Sequence, residues 1–263
     1  MMAKRQYGWV PDRPDQRDYL YSAIRPVVRL PKKVDLREFC SIVENQEALG
    51  SCTANALAGN LEYLDRKGIT FPFGDRDNYD RRTGRDLGYT DVSRLFIYYN
   101  ERVLEGTVDY DSGATLRDGI KTLKKTGVCW ETTWPYLIEK FSRKPSKQSY
   151  REAKKHRIES YHRISTLSEM FTCLAEGYPF VFGFTVYESF QSQRVAKTGV
   201  ANMPRKKEKA LGGHAVLAVG YNQRKKRFLV RNSWGTKWGK DGYFTMPYEY
   251  LETLAADFWT IRK

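Results

Sequence analysis

Hydrophobic and polar positions divide the chain into two textures. From Cys52 onward, Ala54, Leu57, Ala58, Leu61 and Leu64 recur at helical spacing. Gly68 stands where a C-cap would sit, so the pattern predicts a helix from about Cys52 to Arg66. A second helix begins at Asp91-Val92-Ser93 and carries Leu95, Phe96, Tyr98, Tyr99 and Val103. A third, amphipathic, runs from Thr115 to Lys125 and is closed by Gly127. After Trp134-Pro135-Tyr136 the texture changes. Lys140 to Arg163 is highly charged and reads as helical in part. Beyond Tyr178 the segments 180–186, 215–219, 227–231 and 242–246 read as strands. Helices before about residue 135 and strands after it predict an α+β fold, with a helical half and a β half meeting at a cleft-forming interface.

Two stretches stand outside this pattern. Residues 1–33 are rich in proline and charge, and Trp9 to Tyr19 reads as extended, polyproline-like chain. Trp9, Tyr19 and Tyr21 give it apolar anchors, so a strap packed on the body is as well supported as a loose tail. Residues 70–91 are turn-rich and read as a surface insertion. The expected organisation is therefore a strap over 1–33, a helical half over 34–135 and a β-rich half over 136–263, without internal repeats.

Composition narrows the class. At 263 residues with 41% hydrophobic and 14% aromatic content, the chain can bury a substantial core and is not a disordered protein. Its apolar runs are too short to span a bilayer, and Met1 to Val10 lacks the apolar centre of a secretory signal. The expectation is a cytoplasmic protein, or one exported without such a signal. Cys40, Cys52, Cys129 and Cys173 include no close pair, and only His156, His162 and His214 could join them in a metal site. Neither a disulfide scaffold nor a zinc site is expected, no cofactor or metal is called for, and reduced thiols favour a reducing compartment. The formal charge of +14 is concentrated in 140–157, 205–209 and 224–227. These runs accompany no nucleic-acid motif, so solvated surface is the first reading and an anionic partner the second.

Candidate chemistry begins at the predicted helix start. Gly50-Ser51 delivers Cys52 into the first turn, where unpaired N–H groups and the macrodipole favour a thiolate. Taken alone, the cysteine is more simply a small core residue. A nucleophile needs a base, and the base an orienting group. His156 and His162 sit among lysines and arginines that disfavour an imidazolium. His214 stands at the mouth of the apolar strand 215–219. Eighteen positions later Asn232 ends a strand and is followed by Trp234 and Trp238 amid glycines. Such an asparagine can fix an imidazole tautomer beneath an indole roof. By itself the segment reads equally as a glycine-rich hairpin.

Four motifs in order carry a resemblance. They are Gln46-Glu47-Ala48-Leu49-Gly50-Ser51-Cys52, Gly213-His214-Ala215-Val216 with Val219-Gly220-Tyr221, Asn232-Ser233-Trp234-Gly235 with Trp238-Gly239 and Gly242-Tyr243-Phe244, and Val34-Asp35-Leu36-Arg37. Together they resemble the papain-like cysteine peptidases, from about residue 30 to the C-terminus. The resemblance implies a papain-like α+β fold, with a helical left half, an antiparallel β-barrel-like right half and the active-site cleft between them. It implies a cysteine-type endopeptidase acting on protein or peptide substrates. Cys52 would be the nucleophile, His214 its partner, Asn232 the orienting group and Trp234 the shield. Gln46 and the Cys52 backbone N–H would form the oxyanion hole. Ser112 and Gly113 would pair with an extended substrate, and Ala215 would line a specificity pocket. A transpeptidase using the same site and a catalytically silent basic binding protein are the other readings.

The departures from the family pattern also matter. Cys52 precedes His214 and Asn232 by 162 and 180 residues, beyond the family's roughly 130–150, and the 70–91 insertion accounts for much of the excess. Leu49 and Tyr110 occupy the places of a cysteine pair in secreted members, which again favours a reducing compartment. Thr53 replaces the usual aromatic residue and is expected to loosen the packing beneath Cys52. The segment before residue 30 is short for the family's folded propeptide. The Trp9–Tyr21 strap is instead expected to lie along or near the cleft and restrain access. The basic run Arg205-Lys206-Lys207-Glu208-Lys209 should border the cleft and either favour acidic substrates or remain a solvated loop.

Overall fold

The computed structural model describes residues 7–24, 26, 29–67, 79–80, 85–86 and 91–263. Helix α1 (Cys52–Arg66) is the wedge against which both halves close. Every residue from Cys52 to Leu64 is buried, so this helix has no solvent face over its first three turns. Its N-cap residue, Ser51, forms no side-chain cap; its hydroxyl bonds instead to the Tyr136 hydroxyl at 2.6 Å. Helices α2 (Arg94–Glu105) and α3 (Leu116–Lys125) complete the helical half and start close to the expected positions. Ser93 accepts from the Phe96 N–H, and Thr115 from the Asp118 N–H. A Cβ on Gly119 would collide with Leu57 and the Glu101 carboxylate, so glycine sets the close approach of the three helices.

The β half is one open antiparallel sheet. Its strands are β1 (Lys33–Asp35), β4 (Ser160–Ile164), β5 (Phe180–Tyr187), β6 (Ala210–Asn222), β7 (Arg227–Arg231), β8 (Tyr243–Pro247) and β9 (Ala255–Arg262). They lie in the order β4-β9-β5-β6-β7-β8, with β1 also paired to β6. The expected barrel-like half is therefore a sheet that does not close. Two very short strands, β2 (Tyr79–Asp80) and β3 (Arg85–Asp86), pair within the 70–91 segment. Residues 70–78, 81–84 and 87–90 of that segment and the expected cap at Gly68 lie outside the described residues.

Alternation along the strands builds two cores. Phe180, Phe182, Phe184 and Val186 of β5 join Val216 and Ala218 of β6, together with Phe228, Val230, Phe244 and Met246. The opposite face carries Val181, Ala215, Leu217 and Val219 against Leu57, Leu61, Leu64 and Ile120 of the helical half. This second core joins the halves.

The separation of helices from strands is less complete than the sequence suggested. The charged stretch forms α4 (Lys147–Ala153) and then β4, while α5 (Leu167–Ala175), α6 (Gln193–Thr198) and α7 (Tyr248–Leu254) flank the sheet. Strand β9 escaped the reading because its pattern is broken: Asp257 has φ 58° and the β5–β9 register shifts beside it.

Candidate active site

Two elements bring the cysteine and histidine motifs together. Cys52 opens α1, while His214 and Ala215 lie on β6, and the Ala215 N–H donates to Cys52 Sγ at 3.4 Å. The β6–β7 hairpin then explains the eighteen-residue spacing. Leu217 pairs with Arg231, so the residue after β7 returns beside His214. His214 Nε2 lies 2.8 Å from Asn232 Oδ1, which also accepts the Ser233 N–H at 2.9 Å. With Asn232 as acceptor, Nε2 carries the proton and Nδ1 is left as the basic nitrogen. Trp234 stacks on the imidazole at 4.8 Å between centroids, and Phe184 meets its edge at 5.8 Å. His214 is completely buried and Asn232 nearly so, which keeps their bond from competing with bulk water.

Gln46 is fixed from both ends of its amide. Oε1 accepts from the Ser233 hydroxyl at 2.5 Å, while Nε2 donates to the Leu49 carbonyl at 2.9 Å. Backbone bonding adds to this, with the Gln46 N–H on the Ser233 carbonyl and the Tyr136 hydroxyl on the Gln46 carbonyl. The loop ahead of Cys52 is thus tied to the segment that follows Asn232. The second N–H of Nε2 is available for another acceptor. Beneath the cysteine, Thr53 is fully buried and donates to Glu101 Oε2 at 2.8 Å. The expected loosening there is replaced by a buried polar contact, and burial holds the Glu101 carboxyl well above the ordinary carboxylate range.

The N-terminal strap occupies the cleft. The Ala114 N–H donates to the Gly8 carbonyl at 2.7 Å, and the Val10 N–H to the Ala114 carbonyl at 2.9 Å. Between them the Trp9 N–H donates to the Gly213 carbonyl at 3.0 Å. One short extended segment is therefore stitched to the helical half on one side and to β6 on the other. Gly8 threads between Gly50 and Gly113, and its backbone N–H faces the Cys52 sulfur. Burial pushes the Cys52 thiol up to about 12, against the smaller opposing effect of the N–H groups of Ala215 and Gly8. Tyr7 lies beside His214 at 6.4 Å between centroids and meets the Gln191 side chain through its hydroxyl.

Beyond Gly8 the strap is anchored by charge and aromatic burial. The Trp9 indole N–H donates to Asp257 Oδ2 at 3.2 Å. Asp12 accepts from the Trp259 indole at 2.8 Å and the Arg117 backbone at 3.1 Å, and its own N–H donates to Asp257 Oδ2. Burial, then the adjacent Asp257 charge, raises the Asp12 carboxyl to about 6. Asp18 pairs with Arg117 at 2.7 Å and with Arg163 at 2.9 Å. Further along, Tyr21 is fully buried and donates to Glu176.

The other candidates fall elsewhere. His156 is buried edge-on against Trp130, and burial, reinforced by Lys263 and Lys155, lowers it to about 3. His162 lies on β4 opposite Thr260. Cys40, Cys129 and Cys173 are buried and unpaired by disulfides. Ser112 bonds to Thr107, and the Gly113 N–H donates to the Tyr98 hydroxyl. The backbone pairing across the cleft thus runs through Ala114, the next residue. Leu49 is buried and Tyr110 exposed at the positions of the missing cysteine pair. Arg205 to Glu208 lie just before β6, and the Glu208 carboxylate accepts the Ser189 N–H. Among the described residues, Glu44, Glu62 and Asp91 bring carboxylate oxygens within 4.8 Å of one another. Arg94 pairs with Glu44 at 2.5 Å, and Glu62 accepts from Ser41 and Val92, so protein groups already answer two of the three carboxylates. Asp257, Ala114 and Gly8 were missed by sequence reasoning, because each gains its meaning only from partners over 40 residues away.

Comparison with known proteins follows the same lines. The model of the papain family cysteine proteases matches residues 110–254. An uncharacterized peptidase C1-like protein of Acanthamoeba polyphaga mimivirus is 42% identical over 98% of this chain and 87% of its own length. Procathepsin L of Felis catus is 28% identical over 83% of this chain, which spans 61% of that protein. Among solved structures, xylellain, a cysteine protease from Xylella fastidiosa, superposes with a TM-score of 0.83. It is 41% identical, over 100% of this chain and 99% of its own. The bromelain protease of Ananas comosus, solved with the E64 inhibitor, shares the fold with a TM-score of 0.64 at 21% identity.

Proposed function

Because the chain belongs to the papain family of cysteine proteases, we propose that it is a cysteine endopeptidase whose cleft is closed by its own residues 7–18. The observation that carries this reading is the buried His214–Asn232 bond under Trp234, with the next residue, Ala215, donating to the Cys52 sulfur. Withdrawal of the strap readmits water to Cys52 and removes the desolvation that keeps the thiol protonated. His214 Nδ1 then takes the thiol proton, and the imidazolium is steadied by Asn232 through Nε2–H. The thiolate attacks a substrate carbonyl. The second N–H of Gln46 Nε2 and the Cys52 N–H at the uncapped start of α1 stabilise the resulting oxyanion. His214 returns the proton to the departing amine, leaving a thioester, and water hydrolyses it through the same base.

In the closed chain the Gly8 N–H faces the sulfur, so the strap covers the nucleophile. A chain lacking residues 2–18 tests both parts, since it clears the cleft but keeps the buried Tyr21 anchor. Cys52 in that chain is expected to be labelled by an epoxide such as E64 and to cleave fluorogenic peptides at least about tenfold faster than the full chain. Cys52→Ala should abolish cleavage. A folded, reduced truncated chain that neither labels nor cleaves would overturn the enzymatic reading. Equal rates with and without residues 2–18 would overturn the restraint.

A further inference from the structure

The strap shows what the cleft beside the nucleophile is built to hold. Trp9 sits one residue from the segment facing Cys52, on the β side of the cleft. Its ring covers Gly183 of β5 and Gly213 of β6, which lie on neighbouring strands; a Cβ on either would enter the indole. Both glycines have ordinary strand conformations, so it is space rather than backbone freedom that they supply. At the far end of the ring the indole N–H reaches Asp257 Oδ2 at 3.2 Å. The Asp257 carboxylate is only 3% exposed and holds Arg163 on its other oxygen at 3.3 Å.

Removing the strap takes two donors from Oδ2, the Trp9 indole and the Asp12 backbone N–H. A buried carboxylate oxygen left without donors is costly, so whatever enters the pocket is selected for the ability to donate to it. The sign of that donor follows from the remaining charges. Asp12 and Asp18 depart with the strap, whereas Arg117 and Arg163 stay on the body. One carboxylate then faces two guanidinium groups, so an added cation gains little there. A flat, neutral ring with an N–H at its edge fits the space, the acceptor and the charge.

We infer that Asp257 is a specificity-determining residue, and that the open enzyme prefers substrates placing a tryptophan side chain in the pocket now filled by Trp9. This deepens the endopeptidase reading and rests on it. The test uses the chain lacking residues 2–18 and peptide pairs that carry tryptophan or 1-methyltryptophan at each position within three of the cleaved bond. Methylation removes the donor and leaves the ring. At one position tryptophan should be preferred about tenfold or more in kcat/KM, with arginine below it. Asp257→Asn, which keeps a residue type tolerant of the positive φ but loses the charge, should shrink the preference to a few-fold. Cleavage of both peptides at equal rates at every position would overturn the assignment and leave the enzymatic reading intact. Should neither peptide be cleaved, the enzymatic reading fails separately. Calorimetric binding of the same pair then decides the pocket, tighter binding of the tryptophan peptide supporting it and equal binding overturning it.

Discussion

Gly8 is the residue on which closure turns. A Cβ there would overlap the Gly50 carbonyl, which belongs to the backbone loop that positions Cys52 and cannot yield as a side-chain tip could. Overpacking of this kind costs about 1–3 kcal/mol. Gly8→Ala in the full chain should therefore shift the closed form toward the open one and raise peptide cleavage roughly five- to a hundredfold. The truncated chain sets the ceiling for that rise, and steady-state rates of the two side by side check it. An unchanged rate would mean that Gly8 does not limit closure. Gly8 also shows where sequence reading stops at this scale. Gln46, Cys52, His214, Asn232 and Trp234 lie in dense local motifs, and their meeting was legible through the family resemblance that those motifs carry together. Gly8 and Trp9 lie in a proline-rich segment without periodicity. Their partners Gly50, Gly113, Gly213 and Asp257 are 42 to 248 residues away, and nothing in the local pattern signals such contacts.

At the scale of the element, the strap is an extended segment whose anchors titrate. Asp12 faces Asp257 and Trp259 from β9 and Arg117 from α3, with Asp18 and Arg163 close behind. Closure raises its carboxyl from about 3.8 to about 6, through burial first and the Asp257 charge second. The closed form therefore holds a proton that the open form releases. Closure is strongest below the open-form value and weakens as pH rises through about 6. A shift of this size is worth on the order of 3 kcal/mol before relaxation. Cleavage by the full chain, divided by that of the truncated chain, should rise roughly ten- to a hundredfold between pH 4 and pH 6.5. The division cancels the pH dependence of the chemistry in the open form. Asp12→Asn should flatten the ratio, and a flat ratio in the unaltered chain would show that Asp12 does not couple closure to pH. The elements of the body were legible unevenly. Helices α1 to α3 and strands β5 to β8 announce themselves by period and caps. Strands β4 and β9 are interrupted by charge and by the irregular backbone at Asp257, so their place at the sheet edge and beside β5 emerges only from pairing.

For the whole molecule, the strap is a ligand that happens to be covalently attached. It binds across both halves, to Ala114 and Arg117 on one side and to Gly213, Asp257 and Arg163 on the other. Its removal should thus loosen the association of the halves as well as open the cleft, lowering the thermal midpoint while raising activity. A peptide of residues 7–18 added to the truncated chain should reverse both effects. At a hundred times its dissociation constant, such a ligand stabilises by about 2.7 kcal/mol, or roughly 5–10 °C in midpoint for a chain of this size. Attachment near Tyr21 gives the native strap an effective concentration of order millimolar, so even a weak free peptide is compatible with tight closure in the intact chain. The form of inhibition is the discriminating measurement. A peptide lying between Gly50, Ala114 and Gly213 must raise KM and leave kcat unchanged, because substrate and peptide cannot share that space. The same peptide with Gly8→Ala, bound five- to a hundredfold more weakly, should stabilise by only about 0.4–1.8 kcal/mol at equal concentration and inhibit correspondingly less. Inhibition that lowers kcat at constant KM would place the strap's effect outside the cleft, and a peptide that stabilises without inhibiting would reduce it to a clamp between the halves.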